Sequence, residues 1–171
     1  MQQVSENTRQ VIESHHKVAI IGTGFAGLCM AIRLKQQGEE DFVLYEKSET
    51  LGGTWRDNTY PGCGCDVPSH LYSLSFEHNP NWLSKFASQG EILQYLHQLT
   101  KKYQVEQKIK FSTEITDMVW DTSMNRWLLT AATGKRFTAT VVISAMGGLH
   151  VPSTPNTCGR ENFLGHSFHS S

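Results

Sequence analysis

Three glycines and one glutamate are the residues of this 171-residue chain whose spacing points most directly to chemistry. The glycines form the pattern Gly22-x-Gly24-x-x-Gly27, and Glu46 follows about 20 residues later. Gly22 permits a tight turn, Gly24 lets a diphosphate approach the backbone, and Gly27 lets a helix pack closely on a strand. Glu46 can accept hydrogen bonds from a ribose diol, and its charge repels a 2′-phosphate. The pattern therefore predicts a site for FAD or NAD rather than NADP; the alternative is a glycine-rich turn beside a surface glutamate.

A strand–helix–strand unit must position these residues. Residues 17–22 form a short β-branched run typical of a buried strand, residues 25–37 have the apolar content of a largely buried helix, and residues 42–46 predict a second strand. Such units build parallel sheets. Phe25 and Ala26 would then open the helix, whose N-terminal N–H groups attract a diphosphate.

The rest of the chain predicts one long loop, a helix and further strands. Residues 48–89 have little periodicity, and a loop of that length is usually functional. Ser88 and Glu91 form a capping box before a helical apolar pattern. Strands are expected over 109–113, over a meander of 115–121, 126–132 and 135–139, and over a buried strand of 140–145.

Composition excludes several classes of protein. The chain has 15 basic and 16 acidic residues, so we expect no nucleic-acid partner. No apolar run is long enough for a membrane span. Residues 1–16 are polar and lack the apolar core of a signal peptide, so they predict a flexible arm. The cysteines, with no secretion signal, are expected to be free, which favours a cytoplasmic location; they are Cys29, Cys63, Cys65 and Cys158.

A metal site is not expected. Cys63 and Cys65 lie near Asp66 and His70, but their spacing is not that of a zinc site and no second Cys/His pair completes a ligand set.

A second glycine motif, Gly52-Gly53-Thr54-Trp55, follows Glu46. Paired glycines let backbone N–H groups reach a second phosphate or sugar. Trp55 stands near the point where flavin disulfide reductases carry a redox cysteine, which argues against a thiol relay. Trp55 either packs on a flavin ring or is an ordinary core residue.

The string Gly52-Gly53-x-Trp55-x4-Tyr60-Pro-Gly-x3-Asp66 resembles a fingerprint of the Baeyer–Villiger monooxygenases, the class B flavoprotein monooxygenases. Phe163-x-Gly165-x3-His169 is similar to a second motif of that family. Residues 145–149 are similar to its A-T-G-x-L segment, with Met146 in place of the threonine. Related flavin-containing monooxygenases usually lack the Y-P-G-x-x-x-D string.

The resemblance implies an α/β fold, a Rossmann-like FAD-binding domain over residues 17–149 with a parallel central sheet and an antiparallel β-meander insertion. Residues 150–171 would be a linker toward an absent NADPH domain. The implied activity uses FAD, NADPH and O2 to insert oxygen into a ketone. The family's enzymes run several hundred residues, so we expect the N-terminal part of such an enzyme, inactive by itself. The alternatives are a truncated, non-catalytic nucleotide-binding module and an N- or S-oxygenating flavin-containing monooxygenase; the oligomeric state is not predicted.

The resemblance also implies site residues. Asp66 would be catalytic, near flavin and nicotinamide, by holding an active-site arginine; the alternative is a turn aspartate. His169 would lie on the connection into the NADPH domain or be merely solvated. Tyr72, Phe76, Trp82 and Phe86 would line a substrate channel or, as we favour, pack in the core. Ile115 would meet the adenine through its backbone. The expected cofactor contacts are Gly22, Gly24, Phe25, Ala26, Gly27, Glu46, Lys47, Gly53, Thr54, Trp55, Asp66, Tyr72 and Ile115.

Overall fold

The computed structural model describes residues 11–169, which fold into one sheet with helices packed against it. The helices are α1 (Phe25–Gln36), α2 (Thr54–Asp57) and α3 (Gln89–Lys102), with 3-10 turns at Glu106–Lys108 and Arg160–Asn162. The strands are β1 (Ile12–Ile21), β2 (Phe42–Tyr45), β3 (Ile109–Lys110), β4 (Ile115–Asp121), β5 (Arg126–Ala131) and β6 (Arg136–Ser144).

The six strands run in the order β3-β2-β1-β6-β5-β4. β3, β2, β1 and β6 are parallel, and β5 is antiparallel to both of its neighbours. The expected α/β fold with a parallel sheet and an antiparallel meander is therefore confirmed. Ile21 at the end of β1 pairs with Tyr45 of β2 and Ser144 of β6. The carboxyl ends of three parallel strands consequently meet at one edge of the sheet, where ligands of such folds bind.

Strand β1 begins earlier than the sequence predicts. Residues 12–16 were expected to belong to a flexible arm, but Ser14, His15 and His16 pair with β6. His15 Nδ1 also lies 3.0 Å from Thr138 Oγ1. This half of the strand is polar because much of it stays exposed, so its sequence lacks the apolar run that marks a buried strand. Residues 1–10 lie outside the described part.

Strand β6 joins two predicted strands into one. It pairs antiparallel with β5 over residues 136–139 and parallel with β1 as far as Ser144. The prediction of a buried strand over 140–145 is wrong in one respect, because Val141 is 46% exposed. β5 pairs no further along β6 than Ala139, which leaves this stretch without a neighbour on that side. β3 is likewise shorter than the predicted 109–113.

Both faces of the sheet are buried around the parallel strands. On one face Ile20 and Leu44 pack with Leu28 and Ile32 of α1 and with a row of α3 residues that includes Leu96. α3 begins with the predicted capping box, in which the Ser88 and Glu91 side chains each bond the other's backbone. The opposite face is a smaller cluster built by Ala19, Ile21, Val43, Tyr45, Leu129 and Ala139.

The long segment between β2 and α3 contains only the one-turn helix α2. Within residues 11–169, no helix is long and apolar enough to cross a bilayer. All four cysteines lie in this range and are free.

Candidate cofactor-binding cleft

A cleft of about 360 Å³ opens at the carboxyl ends of β1, β2 and β6. Its wall is formed by the turn after β1, the end of β2, the glycine pair with α2, and the segment that follows β6. Ile115, the first residue of β4, also reaches it. The cleft therefore lies at the edge of the sheet where the expected diphosphate site should be.

The turn after β1 requires glycine at two positions. Gly22 has a φ of +104°, and a Cβ there would lie 2.7 Å from the carbonyl oxygen of Ala145, just past β6. A Cβ on Gly27 would lie 2.0 Å from the carbonyl oxygen of Gly22. Any side chain at either position would push α1 or β6 away, so these glycines set the close packing from which the cleft is built.

The N-terminus of α1 faces the cleft without a side-chain cap. Gly24 is the N-cap residue and supplies no side-chain hydrogen bond, and no acidic residue lies in the first turn. Phe25 and Ala26 of that turn line the cleft. First-turn N–H groups lack intrahelical acceptors and carry partial positive charge. This end of the cleft is therefore suited to an anion such as a diphosphate.

The second glycine pair meets the first turn directly. Gly52 and Gly53 have φ values of +128° and +53°. A Cβ on Gly53 would lie 3.3 Å from the Cα of Gly24. The Gly52 N–H donates to the Thr23 carbonyl over 3.1 Å, which ties the two loops together. The two glycine motifs thus form one backbone-lined cradle.

Glu46 lies at the turn, as the sequence predicts. Its side chain is only 4% exposed. Oε2 accepts hydrogen bonds from the Thr23 N–H at 3.0 Å and the Thr23 hydroxyl at 2.6 Å. Oε1 accepts from the Ser48 N–H at 3.0 Å and pairs with Arg56 Nη1 at 3.1 Å. The carboxylate is consequently fixed between β2 and the glycine turn, on the wall of the cleft.

Arg56 is a site residue that the sequence analysis missed. Its Nε and Nη2 donate to the two carboxylate oxygens of Asp57, at 2.8 and 3.1 Å, and Nη1 donates to the Thr50 carbonyl at 2.6 Å. Burial lowers the pKa of its guanidinium, but Asp57 and Glu46 outweigh burial and raise that pKa overall. Its position directly after Trp55 could have indicated this role, because Arg56 lies in the same one-turn helix, α2, which packs beside the end of β2.

Three aromatic rings line the cleft and contact one another. Trp55 is 9% exposed, and its Nε1 donates to the Tyr72 hydroxyl over 3.0 Å. The rings of Phe25 and Tyr72 meet edge to face at 5.0 Å. Burial raises the pKa of Tyr72. Tyr72 lines the cleft as well as packing against the core, whereas Phe76 and Trp82 pack against the core and Phe86 is largely exposed.

Most of the predicted cofactor contacts come together in the cleft. Gly27 lies behind the wall, where it holds α1 against the turn. Asp66 is exposed and does not line the cleft, although its charge helps to raise the pKa of Tyr72 after the larger effect of burial. The predicted residues that line the cleft are Gly22, Gly24, Phe25, Ala26, Glu46, Lys47, Gly53, Thr54, Trp55, Tyr72 and Ile115.

The residues beyond β6 were also missed as cofactor contacts. Ala145, Met146, Gly147 and His150 line the cleft. The prediction that a parallel strand ends near Ala145 was a sufficient signal, because ligands of such sheets bind beyond the carboxyl ends of the strands. In the described part of the chain, no three His, Cys, Asp or Glu side chains are grouped so that they could hold a metal ion.

Comparison with known proteins agrees with this geometry. Residues 20–99 match the model of the NAD(P)-binding Rossmann-like domain family. A Baeyer-Villiger monooxygenase of Pseudomonas aeruginosa is 54% identical over 156 residues, which cover 91% of this chain and 30% of that protein. The cyclohexanone monooxygenase from Rhodococcus sp. Phi1 bound to NADP+ superimposes with a TM-score of 0.82 at 29% identity, over 92% of this chain and 30% of the other. The structure of OTEMO in complex with FAD and NADP gives a TM-score of 0.79 at 31% identity, over 91% and 30%. The chain thus spans about 30% of the length of the curated relatives it matches.

Proposed function

We propose that this protein supplies the FAD-binding part of an FAD- and NADPH-dependent monooxygenase that inserts oxygen from O2 into ketones. The chain is related to the Baeyer–Villiger monooxygenases over the part of them that it spans. The observation that carries the proposal is the cradle formed by Gly24 and Gly53 beside the buried Glu46 carboxylate. A backbone-lined anion site next to a ribose acceptor matches the adenosine diphosphate half of FAD.

The residues of the cleft divide the work of holding FAD. The N–H groups at the start of α1 bind the diphosphate, and Glu46 accepts hydrogen bonds from the ribose. Trp55 and Tyr72 exclude water from their part of the cleft and offer apolar faces to a ring system. When bound, the flavin supplies the electron transfer to O2 that such an oxygenation needs. NADPH would be held mostly by residues outside this chain.

Titration of the purified chain with FAD tests the binding step. We expect one FAD per chain, bound with weak affinity because contacts from segments outside this chain are missing, and measured by equilibrium dialysis. Gly24→Ala is the informative variant, because Gly24 has an ordinary φ of −76° and a Cβ there would lie 3.9 Å from the Cα of Gly53. That methyl group fits the fold but fills the cradle, so FAD affinity should fall.

The matched control is Gly90→Ala on α3, outside the cleft lining, where an added Cβ meets nothing within 4 Å. This variant should bind FAD as well as the unaltered chain does. Equal FAD affinity in the Gly24→Ala and Gly90→Ala variants would contradict the proposal.

A chimera tests the activity. This chain would replace the matching 156 residues of the Pseudomonas aeruginosa relative, and ketone oxygenation with NADPH would be measured by product formation. Conversion of ketones to esters or lactones supports the proposal. A chimera that binds FAD but oxidises only amines or sulfides, or nothing, would favour the N- or S-oxygenating or the non-catalytic alternative.

We further propose that the protein works in a reducing, cytoplasmic compartment. The support is that all four cysteines are free. Thiol titration of protein purified without reductant should find four free thiols.

A further inference from the structure

We infer that Arg56 is a positioning residue that controls access of a ribose diol to Glu46: its guanidinium occupies the carboxylate oxygen that a ribose hydroxyl needs and leaves it when the diol binds. The inference rests on the proposed function, since it concerns the same cleft. It adds a residue that sets how strongly the ribose is recognised.

The first argument is the number of acceptor sites on Glu46. A carboxylate offers about four lone-pair sites for hydrogen bonds. Thr23 fills both sites of Oε2 with its N–H and its hydroxyl. The Ser48 N–H takes one site of Oε1, and the Arg56 guanidinium, whose Nη1 pairs with that oxygen at 3.1 Å, blocks the other. No site is left for a ribose hydroxyl unless one of these donors withdraws.

The second argument is which donor is able to withdraw. Two of the four are backbone N–H groups, and Thr23 is fully buried with its own carbonyl held by Gly52. Arg56 is the one side chain among the donors that has alternative partners in place. Its Nη1 lies 2.6 Å from the Thr50 carbonyl, closer than the 3.1 Å to Glu46, and Asp57 takes Nε and Nη2. Arg56 therefore keeps three hydrogen bonds after it leaves Glu46.

The third argument is the energetic role of the pair. Glu46 is buried, and an uncompensated buried carboxylate is costly. Arg56 supplies the compensating charge at close range and lies on the wall of the cleft, where a ligand can displace it. The diol must therefore compete with Arg56, which weakens the contribution that the ribose hydroxyls make to affinity.

Isothermal titration with ADP and 2′-deoxy-ADP isolates that contribution. The measured quantity is the ratio of the Kd for 2′-deoxy-ADP to the Kd for ADP. In Arg56→Met the acceptor on Glu46 is free, so the ratio should rise about tenfold over that of the unaltered chain. The matched control is Arg126→Met on strand β5, outside the cleft lining, which should leave the ratio unchanged.

Asp57→Ala provides a second test with the opposite sign. Asp57 is exposed and competes with Glu46 for the Arg56 guanidinium, so its removal should strengthen the pairing of Arg56 with Glu46 and lower the ratio. This variant decides the matter if Arg56→Met does not fold.

A purely structural role for Arg56 would weaken both ligands equally, so an unchanged ratio in Arg56→Met, or a ratio in Asp57→Ala that does not fall, would overturn the inference. If the unaltered chain bound neither ADP nor FAD, the proposed function itself would fail and this inference with it. Binding by the unaltered chain with unchanged ratios in the variants would refute this inference alone.

Discussion

Gly24 and Gly53 lie side by side in the wall of the cleft, so closely that a Cβ on Gly53 would lie 3.3 Å from the Cα of Gly24. The reverse addition is easier, because a Cβ on Gly24 would lie 3.9 Å from the Cα of Gly53. The backbone differs as well: Gly24 is extended with a φ of −76°, while Gly53 has a φ of +53°. We therefore expect the two glycines to have different roles: Gly53 is required by the fold, and Gly24 by the proposed diphosphate.

This difference predicts opposite behaviour in two variants. Gly53→Ala should lower the free energy of unfolding by about 1–2 kcal/mol, because alanine is strained at positive φ and its methyl crowds Gly24. Gly24→Ala should change that free energy by less than about 0.5 kcal/mol while still losing FAD affinity. Urea unfolding without ligand makes the measurement. Equal destabilisation of the two variants would show that Gly24 and Gly53 do not differ in their importance for the fold.

Removal of the charge on Glu46 should destabilise the chain. Glu46→Gln turns an amide NH2 toward the donors that the buried carboxylate accepts from and removes the charge that pairs with Arg56, which keeps Asp57 as a partner, so we expect a loss of about 2 kcal/mol in the free energy of unfolding. Glu49→Gln, at an exposed position, is the control and should cost less than about 0.5 kcal/mol. A Glu46→Gln variant as stable as its control would mean that the Glu46 carboxylate does not hold the glycine turn after β1 in place.

The catalytic role of Asp66 remains a prediction from the resemblance. Its position in the structure separates an effect on FAD binding from an effect on oxygenation. Because Asp66 is exposed and outside the cleft lining, Asp66→Asn should leave the FAD affinity of this chain unchanged. In the chimera with the Pseudomonas aeruginosa relative, the same change should slow ketone oxygenation about a hundredfold if Asp66 positions an arginine there. Asp117→Asn on β4 is the control. An unchanged oxygenation rate would mean that Asp66 has only a structural role in a turn.

The contact that Glu77, in the long loop, makes with the end of α3 should lose stability in acid. Lys102 donates to its Oε1 over 2.6 Å and the Tyr103 hydroxyl to its Oε2 over 2.7 Å, and these hydrogen bonds lower the pKa of Glu77. A carboxyl with a lowered pKa stabilises the fold above its unfolded value of 4.5, and this stability is lost as the pH falls through the folded value.

Glu77→Gln should therefore be less stable than the unaltered chain at pH 7, and the difference should shrink as the pH falls below 4.5 and through the lowered pKa of Glu77. Urea unfolding at several pH values measures it, with the exposed Glu106→Gln as control. A difference that stayed constant down to pH 3 would show that ionisation of Glu77 plays no part.

The apolar parts of the fold follow from the sequence alone. Residues 18–21 and 42–45 are buried, so each forms a continuous apolar run in the sequence. The capping box of α3 is a local pattern. Glu46 was predictable because its distance from Gly27 is set by the length of a strand–helix–strand unit.

The missed parts depend on partners far away in the chain. Residues 12–16 become a strand only because β6 pairs with them, and their polar sequence carries no periodic signal. The pairing of Arg56 with Glu46 arises where α2 comes to lie beside the end of β2. The sequence places Asp66 in a motif, but whether it lies near the cleft depends on how a long loop folds.

Strand β6 has a mechanical consequence. Because it pairs with β1 along its length and with β5 over its first half, the meander is continuous with the sheet that carries the cradle. Movement of the meander as a separate unit would break the backbone hydrogen bonds that β6 makes with its neighbours. The meander and the nucleotide-binding half should therefore melt together, as one cooperative unit in calorimetry.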